Sequence, residues 1–233
     1  MFIDCHTHHY SQGDHVSIIN YNPGDPIFSS LKLPLCSCGI HPWFIHADTI
    51  ENNLTQIEYL SLHKKIVAIG ECGLDKYTND LGLQEHVFKR QIELSEQYGL
   101  PVIIHSVKTH HIISEIRKKS LAKQPWIIHG YKGSIEMAQQ FVKQNIFISF
   151  GENLMMDGHK FEKLLQQVNM DFVLLESDDS RISIVDVYKQ AASLLGRDVS
   201  WLEKKIEMNF NTVFGYNELV RKNRAAFRSG ENN

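Results

Sequence analysis

The sequence predicts a parallel α/β fold, and three observations predict it. Short apolar runs of strand length alternate with longer amphipathic stretches along the whole chain. The runs are continuously apolar, as in strands covered on both faces. No internal repeat, low-complexity tract or linker-like segment interrupts the alternation. With 233 residues, 42% of them hydrophobic, the chain is long enough for one sizeable core.

The strand runs are residues 2–5, 33–40, 66–69, 101–104, 126–128, 146–150 and 172–175, with a weaker run at 16–20. Helix-like stretches fall between them. Residues 83–98 place Leu83, Val87, Gln91, Leu94 and Tyr98 largely along one side, which suits a helix covering a sheet. Gly99 is a natural C-cap for it, and Pro101 opens the next strand. Residues 106–121, 134–144, 158–168 and 184–195 read the same way, and 198–214 form a last helix stopped at Gly215. The expected organisation is a single domain over residues 1–216 and a loosely ordered, polar tail over 217–233.

Composition narrows the function. The formal net charge of -3 argues against a protein held to long duplex DNA by electrostatics alone. No apolar run approaches the length of a membrane span. No secretory n-region and h-region precede the first strand, so Cys5, Cys36, Cys38 and Cys72 are expected to be small, buried free thiols in the cytoplasm. There is neither a Walker motif nor G-x-G-x-x-G.

Potential metal ligands follow the strand runs one after another: His6 and His8, then Glu71, His105, His129 and Asp178. In a (β/α)8 barrel the C-terminal strand ends converge on one mouth, where active sites are built. His6 and His8, two apart, point to one face of a regular strand. Glu71 has two carboxylate oxygens and can bridge two ions, so the set is rich enough for a two-metal centre. Mixed imidazole and carboxylate donors suit Zn, Mn or Fe, with Mg a further candidate. Any one histidine at a strand end is more often packed or solvent-facing, but four histidines and two acids at equivalent positions make coincidence a poor account. His46, His63, His86, His110, His111 and His159 read as surface residues. His9 and His15 fall near the mouth without a spacing argument, and His41, at another strand end, is placed to contact substrate.

Ordered motifs add a reaction class. They are Asp4-Cys5-His6-Thr7-His8, Gly39-Ile40-His41-Pro42-Trp43, Gly70-Glu71-Cys72-Gly73-Leu74-Asp75, and Gln84 with Phe88 and Gln91. Then come Pro101-Val102-Ile103-Ile104-His105-Ser106, His129-Gly130-Tyr131-Lys132-Gly133, Ile148-Ser149-Phe150-Gly151, Glu176-Ser177-Asp178, and Asn209-Phe210 with Phe214-Gly215. Together they resemble the TatD-type deoxyribonuclease family of metal-dependent hydrolases, in the family's order. The resemblance implies a distorted TIM-type (β/α) barrel, two divalent ions and hydrolysis of DNA phosphodiesters. It places His6, His8, Glu71 and Asp178 around one ion, and Glu71, His105 and His129 around the other. Three departures stand out. Only 30 residues separate His8 from Gly39, so the first βα region is shortened; Glu-Ser-Asp replaces Glu-Thr-Asp; and Asp179-Ser180-Arg181 replaces a proline-containing stretch.

The leading expectation is therefore a two-metal deoxyribonuclease, with Glu71 and Asp178 as catalytic carboxylates and His41, Lys132 and Arg181 contacting phosphate. Single-stranded DNA or duplex ends are the expected partner, and a monomer is favoured. The alternative keeps the metals and changes the substrate, to a small-molecule amidohydrolase or phosphoesterase. A third reading, a non-catalytic scaffold, predicts lost ligands, whereas all six are present.

Overall fold

The computed structural model describes residues 1–10, 15–25, 35–78 and 80–215. Eight strands lie side by side in chain order: β1 (Phe2–Thr7), β2 (His15–Tyr21), β3 (Cys36–Cys38), β4 (Ala68–Asp75), β5 (Val102–Val107), β6 (Trp126–Ile128), β7 (Ile146–Phe150) and β8 (Val173–Leu175). Every neighbouring pair is parallel. The seam between β8 and β1 is drawn together just past β8. Asp178 N–H donates to the His6 carbonyl at 3.0 Å, and His8 N–H donates to the Asp178 carbonyl at 3.2 Å. The sheet thus closes nearly into the expected TIM-type barrel.

Helices cover the outside: α1 (Ile50–Leu62), α2 (Leu81–Tyr98), α3 (His110–Lys119), α4 (Ile135–Lys143), α5 (Asn153–Met156), α6 (Gly158–Gln167), α7 (Ile184–Leu195) and α8 (Val199–Phe214). Much of the shortened first region, residues 11–14 and 26–34, lies outside the described residues. The main apolar core includes Ile3, Ile18, Ala68, Ile103, Ile127, Ile148 and Leu174, all fully buried. Each large aliphatic side chain so buried contributes about 1.5–3 kcal/mol. All four cysteines are free and buried, as expected.

Several boundaries differ from the sequence reading. α1 is an additional helix; its buried positions Ile50, Leu54, Ile57 and Leu60 recur at helical spacing between polar residues. β4 and β5 run further than their apolar cores, because Cys72 to Asp75 stay in register with Ile104 to Val107. Glu71 and His105 therefore lie inside their strands, as His6 does in β1, while His8, His129 and Asp178 follow theirs. The buried face of α2 is Gln84, Val87, Phe88, Gln91, Ile92 and Ser95, turned about one position from the expected stripe. The tail expected over 217–233 lies outside the described residues.

One glycine sets the spacing at the mouth. Gly73 has φ +141, and a Cβ there would sit 2.1 Å from the His105 carbonyl oxygen. Gly73→Ala is expected to lose roughly 2–4 kcal/mol of stability from backbone strain and overlap. Thermal unfolding checks this, and a variant as stable as the parent would show that β4 and β5 can spread apart here.

Candidate metal centre

Glu71 lies at the middle of the mouth, 3% exposed. Its backbone is fixed by Asn20, whose Oδ1 accepts from Glu71 N–H at 2.6 Å and from Ser37 Oγ at 3.0 Å. The two carboxylate oxygens face different groups. Oε2 faces His8 Nε2 at 3.3 Å and His6 Nε2 at 3.4 Å. Asp178 Oδ1 lies 3.6 Å from both of those nitrogens. Oε1 faces His129 Nε2 at 2.6 Å, His105 Nδ1 at 2.8 Å and His41 Nε2 at 3.2 Å. All six expected ligands therefore meet, and their donor atoms fall into overlapping sets.

The first group has the spacing of a coordination shell. Donors about 2.0–2.1 Å from a tetrahedral ion lie about 3.3–3.4 Å from one another. The His6, His8, Glu71 and Asp178 contacts span 3.3 to 3.6 Å, too long for good hydrogen bonds. His6 is fully buried, yet both of its ring nitrogens lack a hydrogen-bond partner. A buried imidazole left in this state fits a divalent ion. The second group is closed up to hydrogen-bond length, with His105 Nδ1 and His129 Nε2 3.4 Å apart.

A family model described as TatD related DNase matches residues 29–215, more than half of the chain. The chain belongs to the TatD related DNase family. YabD of Bacillus subtilis, named an uncharacterized metal-dependent hydrolase, is 33% identical over 135 residues, covering 56% of this chain and 53% of YabD. TatD of Cronobacter sakazakii, named a 3'-5' ssDNA/RNA exonuclease, is 26% identical over 202 residues, or 76% of each protein. The chain spans about half the length of several curated relatives it matches, YabD among them. The crystal structure of YjjV, a TatD homolog from Escherichia coli K12, shares the fold with a TM-score of 0.75 at 22% identity, covering 86% of each chain.

In this TatD-family chain a surrounding layer of polar groups orients the donors. His105 Nε2 faces Asp75 Oδ2 at 3.3 Å, which turns Nδ1 towards Glu71. Asp75 in turn accepts from Trp43 Nε1 at 2.7 Å and from Tyr77 N–H at 2.8 Å. The fully buried Glu176 accepts from Gly130 N–H at 2.5 Å and from Ser149 Oγ, fixing the turn that carries His129. Its Oε1 lies 3.7 Å from His129 Nδ1, which has no hydrogen-bond partner, so Glu176 acts on that ring chiefly through charge. Asp4 accepts from Ser177 N–H at 2.9 Å and Oγ at 2.6 Å, holding the loop before Asp178. Burial pushes the Asp4 carboxyl up to about 7. On α2, Gln91 brackets Ile40 and Gln84 brackets Asp75 through their backbone groups.

The electrostatics follow from the crowding. Burial raises the Glu71 carboxyl, but His129, His105 and His41 outweigh it and hold the group well below the usual carboxylate range. Burial lowers His129, but the charges of Glu71 and Glu176 outweigh it and hold that ring well above its ordinary value.

The remaining expected residues separate. Trp43 N–H donates to His41 Nδ1 at 3.1 Å, so the His41 proton sits on Nε2, towards Glu71. In this tautomer His41 is a hydrogen-bond donor beside the centre and has no lone pair to offer an ion there. Lys132 lines a cavity of about 400 Å³ with His105, His129, Asp178 and Lys108. Arg181 lines a neighbouring groove with Thr7, His9 and Ser177. His9 is exposed and pairs with Asp179 at 2.9 Å. His110 is a correction to the surface reading: its ring packs on Tyr131 and Phe141, and burial lowers it to about 4. Sequence reasoning assigned no role to Asp75, Glu176, Asn20 or Trp43. Asp75 and Glu176 could have been found as acids at the ends of buried strands, whereas Asn20 and Trp43 carry no such mark.

Proposed function

We propose that the chain is a two-metal-ion phosphodiesterase acting on DNA at single-stranded or duplex ends. The observation that carries this reading is the division of Glu71, with one oxygen towards His6 and His8 and the other towards His105 and His129. His6, His8, Glu71 and Asp178 would hold one ion, and Glu71, His105 and His129 the other. The ions would be Mg, Mn or Zn, and when bound they would polarise a phosphoryl oxygen and acidify the attacking water.

The protein's own groups do the positioning. Glu71 is acidic enough to stay ionised and so remains a two-sided acceptor. Asp178, with its side chain 38% exposed, is the carboxylate of the cluster that reaches solvent, and would orient the attacking water and take its proton. His41 Nε2–H can donate to a phosphate oxygen at the same place where it now meets Glu71. Lys108 and Lys132 supply local positive charge across the cavity, so one phosphate can be neutralised although the net charge is -3. Arg181 is assigned to a more distant phosphate along the neighbouring groove. A mouth of this size admits a strand end more readily than the side of a duplex.

The name of the Cronobacter sakazakii relative, an ssDNA/RNA exonuclease, supports the nucleic-acid class. The cavity's small volume also favours a second reading, a small phosphoester or amide as substrate. An assay separates them. The metal-loaded protein should shorten an end-labelled single-stranded oligonucleotide, lose that activity in EDTA and regain it with added Mn or Mg. Turnover of small esters or amides with no metal-dependent loss of DNA would refute the nuclease reading.

A further inference from the structure

We propose that Trp43, Phe44 and Tyr77 form a stacking wall for the unpaired nucleobase next to the scissile phosphate. The subsite rests on the phosphodiesterase reading above. Trp43, Phe44 and Tyr77 are 56%, 50% and 75% exposed. Single exposed apolar residues are ordinary. These three differ because all are tied to the metal centre. The rings of Trp43 and His105 are 5.9 Å apart, and those of Trp43 and His41 are 5.0 Å apart. Phe44 lies 5.6 Å from the His41 ring. Tyr77 and Trp43 are both anchored to Asp75, one through its backbone and one through its indole.

The anchoring matters as much as the exposure. Trp43 is held at two points, its N–H on His41 Nδ1 and its indole Nε1–H on the Asp75 carboxylate. Pro42 opens the 3-10 turn Pro42–Phe44 and limits its backbone freedom. The indole is thus fixed before any ligand arrives, with much of its surface still in water. Such a surface suits a flat, unpaired aromatic ligand and loses nothing on ordering. Lys108 and Lys132 line the adjoining cavity with His105, His129 and Asp178, and Trp43 does not line it. The cavity would thus offer charge for phosphates, and the aromatic wall beside it faces for bases. A base inside a duplex cannot use the wall, because both of its faces are already stacked, whereas an unpaired terminal base can turn a face to it. The wall would therefore make the enzyme prefer frayed or single-stranded ends.

The test compares two oligonucleotides hydrolysed by the metal-loaded protein, one unmodified and one with tetrahydrofuran abasic units in place of its terminal nucleosides. The unmodified strand should be preferred about ten-fold in kcat/KM. Trp43→Leu should bring that ratio close to one, and Trp43→Tyr should preserve most of it. Phe44→Ala and Tyr77→Ala, which leave the Asp75 contacts in place, should each lower the ratio. The ratio within each variant is the readout, since Trp43→Leu also loosens Asp75 and slows both substrates. A parent enzyme that does not distinguish the two strands, or a ratio untouched by all of these substitutions, overturns the subsite and leaves the nuclease reading standing. Hydrolysis of neither strand overturns the nuclease reading and the subsite together.

Discussion

Glu71→Gln is expected to lower the metal-dependent hydrolysis rate by about a thousand-fold or more and to reduce bound metal from two ions to one or none. The reason is the position of the carboxylate. Its oxygens face His6 and His8 on one side and His105 and His129 on the other, all within 3.4 Å. Glutamine keeps the size and one acceptor oxygen, but replaces the other oxygen with an NH2 donor that cannot bind a cation. It would also remove negative charge that offsets the two dications of the proposed centre. Rates of this order are typical when the main electrostatic stabiliser of a transition state is lost. Elemental analysis of the purified protein beside the oligonucleotide assay checks both halves. A variant that keeps two ions and most of its activity would show that Glu71 does not bridge.

Glu176→Ala is expected to have the next largest effect, a loss of roughly 10–100-fold in metal affinity together with about 2–4 kcal/mol of stability. Glu176 is fully buried at the end of β8 and holds Gly130 N–H and Ser149 Oγ. Alanine leaves the fully buried Ser149 hydroxyl and the partly buried Gly130 N–H without their acceptor. It also withdraws the contribution that Glu176 makes, after Glu71, to holding His129 above its ordinary pKa. Metal titration and denaturant unfolding measure the two effects separately. Glu176→Gln retains an acceptor and should recover more stability than metal affinity. A Glu176→Ala chain that binds metal normally would show that Gly130 and His129 hold their places unaided.

The barrel was legible because its strands are buried on both faces. Residues 126–128 and 146–150 are bounded by the sequence as they are in the structure, and the apolar runs need no partner to be recognised. What failed was the reach of strands beyond their apolar cores. Cys72 to Asp75 is short, glycine-containing and ends in an acid, yet it is strand because β5 offers a ladder in register. That pairing is a tertiary fact absent from the local pattern. The ligand residues were readable as side-chain types at strand ends, and their meeting follows from the barrel. The groups that aim them were not, because a carboxylate that binds a histidine looks the same in sequence as one that meets solvent. His41 illustrates this. Its position was read correctly, but its bonded proton is set by the backbone N–H of Trp43, two residues on.

The seam between the last and first strands has a further consequence. The donors of one half of the centre span the chain from His6 to Asp178, and the same two backbone bonds that close the barrel bring Asp178 over His6 and His8. The donors of the other half, Glu71, His105 and His129, come from a much shorter stretch on successive strands. The two halves therefore differ in when a growing polypeptide can possess them. A nascent chain that has emerged through His129, one residue past β6, already contains the full second set, whereas the first set exists only once Asp178, three residues past β8, has been made. A translation product that stops short of Asp178 therefore lacks a member of the first set.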